Sequence, residues 1–366
     1  MEKRNKKVFV GMSGGVDSSV SAALLKKAGY DITGVFIKVW HPDFLPCDWK
    51  EERRDTMRVC AALNIPFLTF DFEEEYKREV VDYMLSEYKR GRTPNPDVMC
   101  NRYIKFGSFL KKAKTMGADM IATGHYAIRE EVGKGSQKVF LLKESKDKEK
   151  DQSYFLWTLG QEELSQSLFP VGGYEKKEVR ALAQKFNLPT FEKKDSQGLC
   201  FLGKIDFREF LAAYLPVKRG HVVNLKEEII GIHDGVHLYT IGQRHGFTIT
   251  KKGTSDTPLY VIDKDVAKNR LIVSDKKEAI YETVKTKKVT LSDTHWVSGA
   301  FPSLNRDYNI RFRYHQKPIS GFLTKEGRKT VAVFKTSQDS VALGQSLVFY
   351  TKDDVCLGGG VVDRIA

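Results

Sequence analysis

Apolar and polar positions follow two different rhythms along this chain, and the rhythm changes close to residue 216. In the first half, short apolar runs of strand length alternate with stretches of helical spacing. Residues 7–12, 31–40 and 66–72 read as strands, while 18–28 (closed by Gly29) and 51–63 read as helices. That alternation predicts a parallel sheet with helices on both faces. Helix 73–88, a Pro-rich loop 91–100, helix 104–116 and strand 119–123 follow, and 127–143 reads as a hairpin turning at Gly133-Lys134-Gly135. A charged run, 143–151, precedes helices 176–186 and 207–214.

Beyond Val217 helical spacing gives way to short β-rich segments separated by turn residues. Segments 222–223, 237–241, 259–262 and 271–274 make a small β-rich domain reaching about residue 279. Segments 309–314, 319–323, 330–334 and 346–350 make a second antiparallel sheet, expected to close as a barrel. The expected domains are 1–216, 217–279 and 280–366. Three units suit a chain of 366 residues, which exceeds what one core usually supports.

Composition changes this picture in three places. Sixty Lys and Arg against 47 Asp and Glu leave a formal charge of +13, which favours a polyanionic partner such as nucleic acid, although surplus lysine also serves solvation. No run of about twenty apolar residues could cross a bilayer, and the basic start (Lys3, Arg4, Lys6, Lys7) meets too short an apolar stretch for a signal peptide. Five cysteines without C-x-x-C spacing fit neither a secreted disulfide framework nor a four-thiolate metal site, so a reducing cytoplasm is expected.

The candidate chemistry begins at Ser13-Gly14-Gly15-Val16-Asp17-Ser18, between the first strand and first helix. Glycines there let backbone N–H groups close around phosphate, and the helix N-terminus adds positive potential. The loop lacks the Gly-Lys-Ser/Thr end of a Walker A motif and resembles instead the loop of ATP pyrophosphatases, which adenylate a substrate by splitting ATP between its α and β phosphates. Open α/β sheets bind ligands outside the carboxyl ends of their strands, where Ser13, Ile37 and Gly124 are expected. Adenylation needs a nucleophile, and Cys100 and Cys200 offer two. Either cysteine read alone is an ordinary buried thiol; Cys47, Cys60 and Cys356 are expected to be structural.

At this point the chain resembles the tRNA-specific 2-thiouridylase (MnmA/TrmU) family over nearly its whole length. The matching segments are Gly11 to Ser19, Thr93-Pro94-Asn95-Pro96-Asp97 with Cys100-Asn101, and Ala122-Thr123-Gly124-His125-Tyr126. They continue through Lys150-Asp151-Gln152-Ser153-Tyr154-Phe155-Leu156, Asp195 to Gly203, Tyr239-Thr240-Ile241-Gly242-Gln243-Arg244, Arg311 to Tyr314 and Cys356-Leu357-Gly358-Gly359-Gly360. Ile37 stands where the family usually has Met or Leu, and Leu343 where it usually has Pro before Gly344-Gln345.

The resemblance implies an adenine-nucleotide α-hydrolase-like domain followed by two β-rich domains. It implies that ATP, with Mg²⁺, adenylates the C2 oxygen of the wobble uridine, and that persulfide sulfur then replaces it with release of AMP. Cys200 would carry the persulfide. Cys100 would be the nucleophile that releases sulfide through a transient disulfide, or would assist direct attack by the terminal sulfur. Asp97 would be the acid or base, with Asn95 and Pro96 completing a pocket for a splayed-out base. ATP would be held by Gly11, Met12, Ser13, Gly14, Gly15, Val16, Asp17, Ser18, Ile37 and Gly124. The tRNA would meet His125, Lys150, Asp151, Gln152, Arg313, Tyr314 and Gln345. The implied partners are the anticodon loops of glutamate, glutamine and lysine tRNAs and a persulfide donor, either a cysteine desulfurase or a sulfur relay protein. No protein ligand cluster for a metal is legible. Two other readings are an adenylating ligase with an amine nucleophile and a nucleotide-sensing tRNA-binding protein.

Overall fold

The computed structural model describes residues 6–42, 44, 49–133, 135, 138–194, 207–215, 217–251, 258–275, 286–339 and 341–365. In the first part β1 (Lys7–Met12), α1 (Val16–Lys27), β2 (Asp31–Lys38), α2 (Trp49–Ala62), β3 (Phe67–Asp71), a helix α3 (73–89) and a helix α4 (96–115) lead to β4 (Met120–Ala122). A two-residue strand, β7 (Ser167–Leu168), completes a parallel sheet of order β3-β2-β1-β4-β7. Alternate residues of β1 feed opposite cores: Val8 and Val10 pack in one and Phe9 in the other. A strand buried on both faces explains its nearly continuous apolar sequence.

The sequence places the start of α4 too late. The helix begins at Pro96 within the expected loop, with the Asn95 side chain accepting the Val98 N–H at 3.3 Å as its N-cap. Proline suits the first helical position, where its missing N–H costs no bond. The stretch Cys100–Ser108 then runs with i→i+5 spacing before the α-helix resumes at Phe109.

The hairpin β5 (Ala127–Val132) and β6 (Val139–Glu144) forms as expected but belongs to a sheet built mostly from the far end of the chain. The middle sheet consists of β8 (Gly220–Val223), β9 (Ile229–His233), β10 (Thr248–Ile249), β11 (Tyr260–Asp265) and β12 (Arg270–Ser274), in the order β10-β9-β8-β12-β11. The expected strand 237–241 is instead a 3₁₀ turn, Val236–Leu238, followed by extended backbone. Its apolar residues anchor the core, with Tyr239 only 1% exposed and donating from its hydroxyl to the Gly246 carbonyl.

The last part contains β13 (Thr286–Trp296), β14 (Asp307–Arg311), β15 (Ile319–Glu326), β16 (Lys329–Gln338), β17 (Ser346–Tyr350) and β18 (Val355–Ile365). These six strands close into a barrel through β13–β18, and β6 with β5 extends the sheet from β18. The two closing strands escape the sequence pattern because polar residues and glycines interrupt them.

The charged run 143–151 ends β6 and turns tightly, with Glu144, Ser145 and Asp151 buried and Lys146, Lys148 and Glu149 exposed. Asp147 Oδ1 accepts the N–H groups of Glu149 and Lys150, and its Oδ2 accepts that of Lys176 at 2.9 Å. Beneath it Arg311 of the barrel pairs with Glu144 at 2.9 Å and Asp151 at 3.2 Å, all three largely or wholly buried. Among the described residues no helix is long and apolar enough to cross a membrane.

Candidate nucleotide and thiol site

Parallel pairing brings the carboxyl ends of β1, β2 and β4 to one edge of the sheet, with β1 between the other two. Chain connections leave β1 and β4 on opposite sides there, making the crevice in which such sheets take ligands. Gly14 sits at φ +69°, and a Cβ on it would come within 2.6 Å of the Glu52 carbonyl on α2. A Cβ on Gly124 would come within 2.7 Å of the Ser18 nitrogen, so both close approaches require glycine. The loop between is tied internally: Ser18 Oγ donates to the Gly15 carbonyl and accepts the Ser13 N–H, both at 3.3 Å, and Ser19 Oγ donates to the same carbonyl at 2.7 Å. A Cβ on Gly11 would lie 3.5 Å from Ile37 Cδ1 and 3.3 Å from the Phe109 ring. The expected nucleotide residues from Gly11 to Ser18, Ile37 and Gly124 therefore converge.

The Asp17 carboxylate takes no open position in that crevice. It accepts from Lys176 Nζ at 2.7 and 2.9 Å and from the Tyr126 hydroxyl at 2.8 Å. Its side chain braces α1, and what the loop offers an anion is backbone N–H at the start of that helix.

Helix α4 carries the second half of the site. Asp97 and Cys100 are three residues apart and share a face of its first turns. Cys100 is 2% exposed. Burial raises the Asp97 carboxyl above its ordinary range, and the charge of Lys105 opposes that rise. The same lysine and, chiefly, burial hold His125 well below the ordinary histidine range, so its ring is neutral. His125 is 8% exposed, with Nδ1 2.8 Å from Thr123 Oγ1 and its ring against Phe106 and Phe169. Phe109, Phe106 and Lys105 thus connect the phosphate loop to Asp97 along one helix. Sequence reading missed Lys105; its position eight residues after Asp97 in a helix was the available signal.

The barrel holds the pocket residues in place. Thr93 N–H donates to the Leu343 carbonyl at 2.8 Å, and Arg92 pairs with Asp363 at 2.7 Å. The Tyr154 hydroxyl donates to the Ser346 carbonyl at 2.9 Å, and Asn95 and the charge of Arg313 oppose the rise that burial imposes on it. Tyr314 packs on Phe155, ring centroids 4.6 Å apart. Gln345 accepts the Ala342 N–H at 3.2 Å within the loop that meets Thr93.

Several expected roles change. Asp151 is 2% exposed, and its carboxylate is taken by Ser145, Ser153 and Arg311, so its side chain serves as a structural anchor. Gln152 is partly exposed, with its side-chain oxygen accepting the Tyr126 N–H at 3.0 Å. His125 faces the core, whereas Arg313 is exposed and Lys150 and Tyr314 are partly exposed. Arg102, near Cys100 in sequence, pairs with Asp293 of the barrel at 2.7 Å and not with the thiol. Cys60 and Cys356 are buried thiols pushed up to about 11 and about 12.

Cys47 and Cys200 lie outside the described residues. Before the Cys200 segment, Lys193 pairs with Asp55 of α2 at 2.7 Å, and Asp55 Cβ lies 3.2 Å from where a Cβ on Gly14 would stand. After it, Phe210 and Tyr214 pack on Trp40, just beyond β2. Both flanks meet the edge that carries the phosphate loop.

Three family profiles match in succession: a tRNA methyl transferase HUP domain over residues 6–204, a tRNA methyl transferase PRC-barrel domain over 208–275 and an aminomethyltransferase beta-barrel domain over 286–362. The chain is 44% identical to the tRNA-specific 2-thiouridylase MnmA of Francisella philomiragia, over 98% of this chain and 99% of that one. To the tRNA-specific 2-thiouridylase MnmA of Geobacillus thermodenitrificans it is 45% identical, over 98% and 95%. Among solved structures, the U34-tRNA thiolase NcsA from Methanococcus maripaludis with its [4Fe-4S] cluster aligns at 16% identity with a TM-score of 0.35, covering 57% of this chain and 64% of that one, too slight a likeness to carry an argument.

Proposed function

This chain belongs to the tRNA-specific 2-thiouridylase family, and we infer that it uses ATP to replace the C2 oxygen of a tRNA wobble uridine with sulfur. The observation that carries the reading is the path along α4: Phe109 packs at the phosphate loop and Phe106 on His125, while Asp97 and Cys100 occupy the same helix's first turns. One rigid element thereby fixes the distance between the phosphates and the reacting base.

In the first step the uracil C2 oxygen attacks the α-phosphorus of ATP and pyrophosphate leaves. The loop's backbone N–H groups and the start of α1 hold the phosphates. In this reading Asp97 accepts and returns the ring proton, a role supported by the burial that raises its carboxyl toward neutrality. In the second step sulfur adds at C2 and AMP leaves with the oxygen. Cys200 bears the persulfide. The Cys100 thiolate either attacks the Cys200 sulfur, forming a disulfide and expelling hydrosulfide, or assists direct attack by the terminal sulfur. Mg²⁺ accompanying ATP would neutralise phosphate charge. No group of three or more His, Cys, Asp or Glu among the described residues is placed to hold it, and no step here runs through it.

Arg313, Lys150, Tyr314 and the amide of Gln152 form the tRNA-facing candidates, with Asn95 and Pro96 at the base. Glutamate, glutamine and lysine tRNAs, a cysteine desulfurase or relay protein as sulfur donor, and a cytoplasmic setting complete the reading.

Purified protein with unmodified tRNA, ATP, Mg²⁺ and a persulfide source should add one sulfur to the wobble uridine by mass spectrometry. Cys200→Ser should release pyrophosphate yet transfer no sulfur, whereas Cys100→Ser should still load a persulfide on Cys200. Normal thiolation by Cys200→Ser would overturn the role of Cys200 as persulfide carrier, and full activity without both cysteines would favour an amine-using ligase instead.

A further inference from the structure

We propose that Lys105 is the positioning cation of the thiolation site, setting through its ammonium the charge and orientation of the Asp97 carboxylate that meets the uracil. The proposal rests on the thiouridylase reading and names a residue that reading does not require.

Helix geometry is the first ground. In an α-helix, residues five apart point about 140° away from each other. Cys100–Ser108 is wound with i→i+5 spacing, so Lys105 lies one turn beyond Cys100 and returns toward the face that Asp97 and Cys100 share. The neighbouring Phe106 fixes that phase, because its ring packs against His125 at 5.8 Å on the floor of the site. Such a wide turn gives up regular helical bonding, and placing a cation beside the reactive pair supplies a reason to keep it.

Charge distribution is the second ground. Of the other cations of α4, Arg102 pairs with Asp293, Lys112 lies over the Phe70 and Phe72 rings, and Lys111 and Lys114 are exposed toward the far end of the helix. The charge of Lys105 acts on both Asp97 and His125. Lys105 is the charged group that acts on Asp97, while the elements that meet α4 carry Cys100 on the helix itself, His125 on the loop after β4, whose ring packs on Phe106, and Tyr154 on the 3₁₀ turn Ser153–Leu156, which feels Arg313 of the barrel. On α3, Glu87 is engaged by Arg90 and Arg92. His125 stays neutral and Tyr154 is pushed above the ordinary tyrosine range, so neither ring contributes a change of charge between pH 5 and 8.

The sign follows directly. Burial favours the protonated carboxyl and Lys105 favours the carboxylate, so removing the ammonium moves carboxylate formation to higher pH. Lys105→Met should shift the acid limb of single-turnover thiolation to higher pH and lower the rate below that limb by about 10²-fold, with recovery above it. Lys105→Arg should keep the limb in place. Both variants should bind tRNA and load persulfide on Cys200 normally. Lys105→Gln serves if the Met variant does not fold. An unshifted limb in a folded variant, or a pH-independent loss that Arg does not rescue, overturns the proposal. Asp97→Asn separates the levels: if it is inactive while Lys105→Met keeps the wild-type limb, only the Lys105 role fails. If Asp97→Asn thiolates normally, the assignment of Asp97 fails with it.

Discussion

Asp17 and Lys176 are 159 positions apart yet bonded through both carboxylate oxygens, with the Lys176 side chain 13% exposed. Removing either partner leaves the other charge poorly solvated and frees the first turn of α1. Asp17→Ala should therefore lose most pyrophosphate release while tRNA affinity stays unchanged. Lys176→Met should produce the same loss, and the double variant should be no worse than either single one. That non-additivity, a coupling of about 1 kcal/mol or more, distinguishes a brace from a direct phosphate ligand. Additive losses in a pyrophosphate-release assay would return Asp17 to the nucleotide. Sequence could assign Asp17 to the loop but not its partner, because nothing local joins positions so far apart.

At the scale of elements, the loops at the carboxyl edge depend on backbone approaches that exclude a side chain. Gly124→Ala would drive a methyl group into the Ser18 nitrogen and should cost about 1–3 kcal/mol by denaturant titration. It should also weaken ATP binding, and unchanged stability would show that the two loops can separate. Alternation of apolar runs and the glycine spacing made this half of the fold legible, together with its site loops. The start of α4 was hidden because Asn95-Pro96 reads as a turn when it is also a cap followed by a proline at the first helical position. Strand 237–241 was misplaced because buried residues such as Tyr239 imitate strand alternation while serving the core. Strands β13 and β18 lacked a local signal, since their pairing with each other across the barrel seam makes them strands.

For the whole molecule, the Arg311 network couples the nucleotide domain to the barrel. Arg311, Glu144 and Asp151 have side chains 13%, 4% and 1% exposed. Arg311→Met leaves two buried carboxylates facing each other and should cost about 3–5 kcal/mol. Calorimetry should show unfolding moved to lower temperature or split between domains, and an unchanged profile would mean that the remaining contacts between the domains, Arg92–Asp363 and Arg102–Asp293 among them, hold them without this network. The overall charge of +13 indicated an anionic partner, but it gave no hint that some of the family-matched polar residues, Asp151 among them, would be spent joining domains.

The hairpin β5–β6 also sets a timetable for synthesis. Its free edge is closed by Val355 and Cys356, and Lys148 beside it pairs with Asp354 at a separation of 206 positions. At a ribosome's pace of about 5–20 residues per second, the edge waits on the order of ten seconds or longer for its partner strand. Throughout that interval the nascent chain displays an unpaired strand rim beside a run of alternating lysines and carboxylates, open to pairing with another chain. The nucleotide domain can gather its parallel sheet early, but the buried Glu144 and Asp151 carboxylates gain their Arg311 partner only when the barrel strands arrive, so the junction between the domains is finished late in this chain's biogenesis.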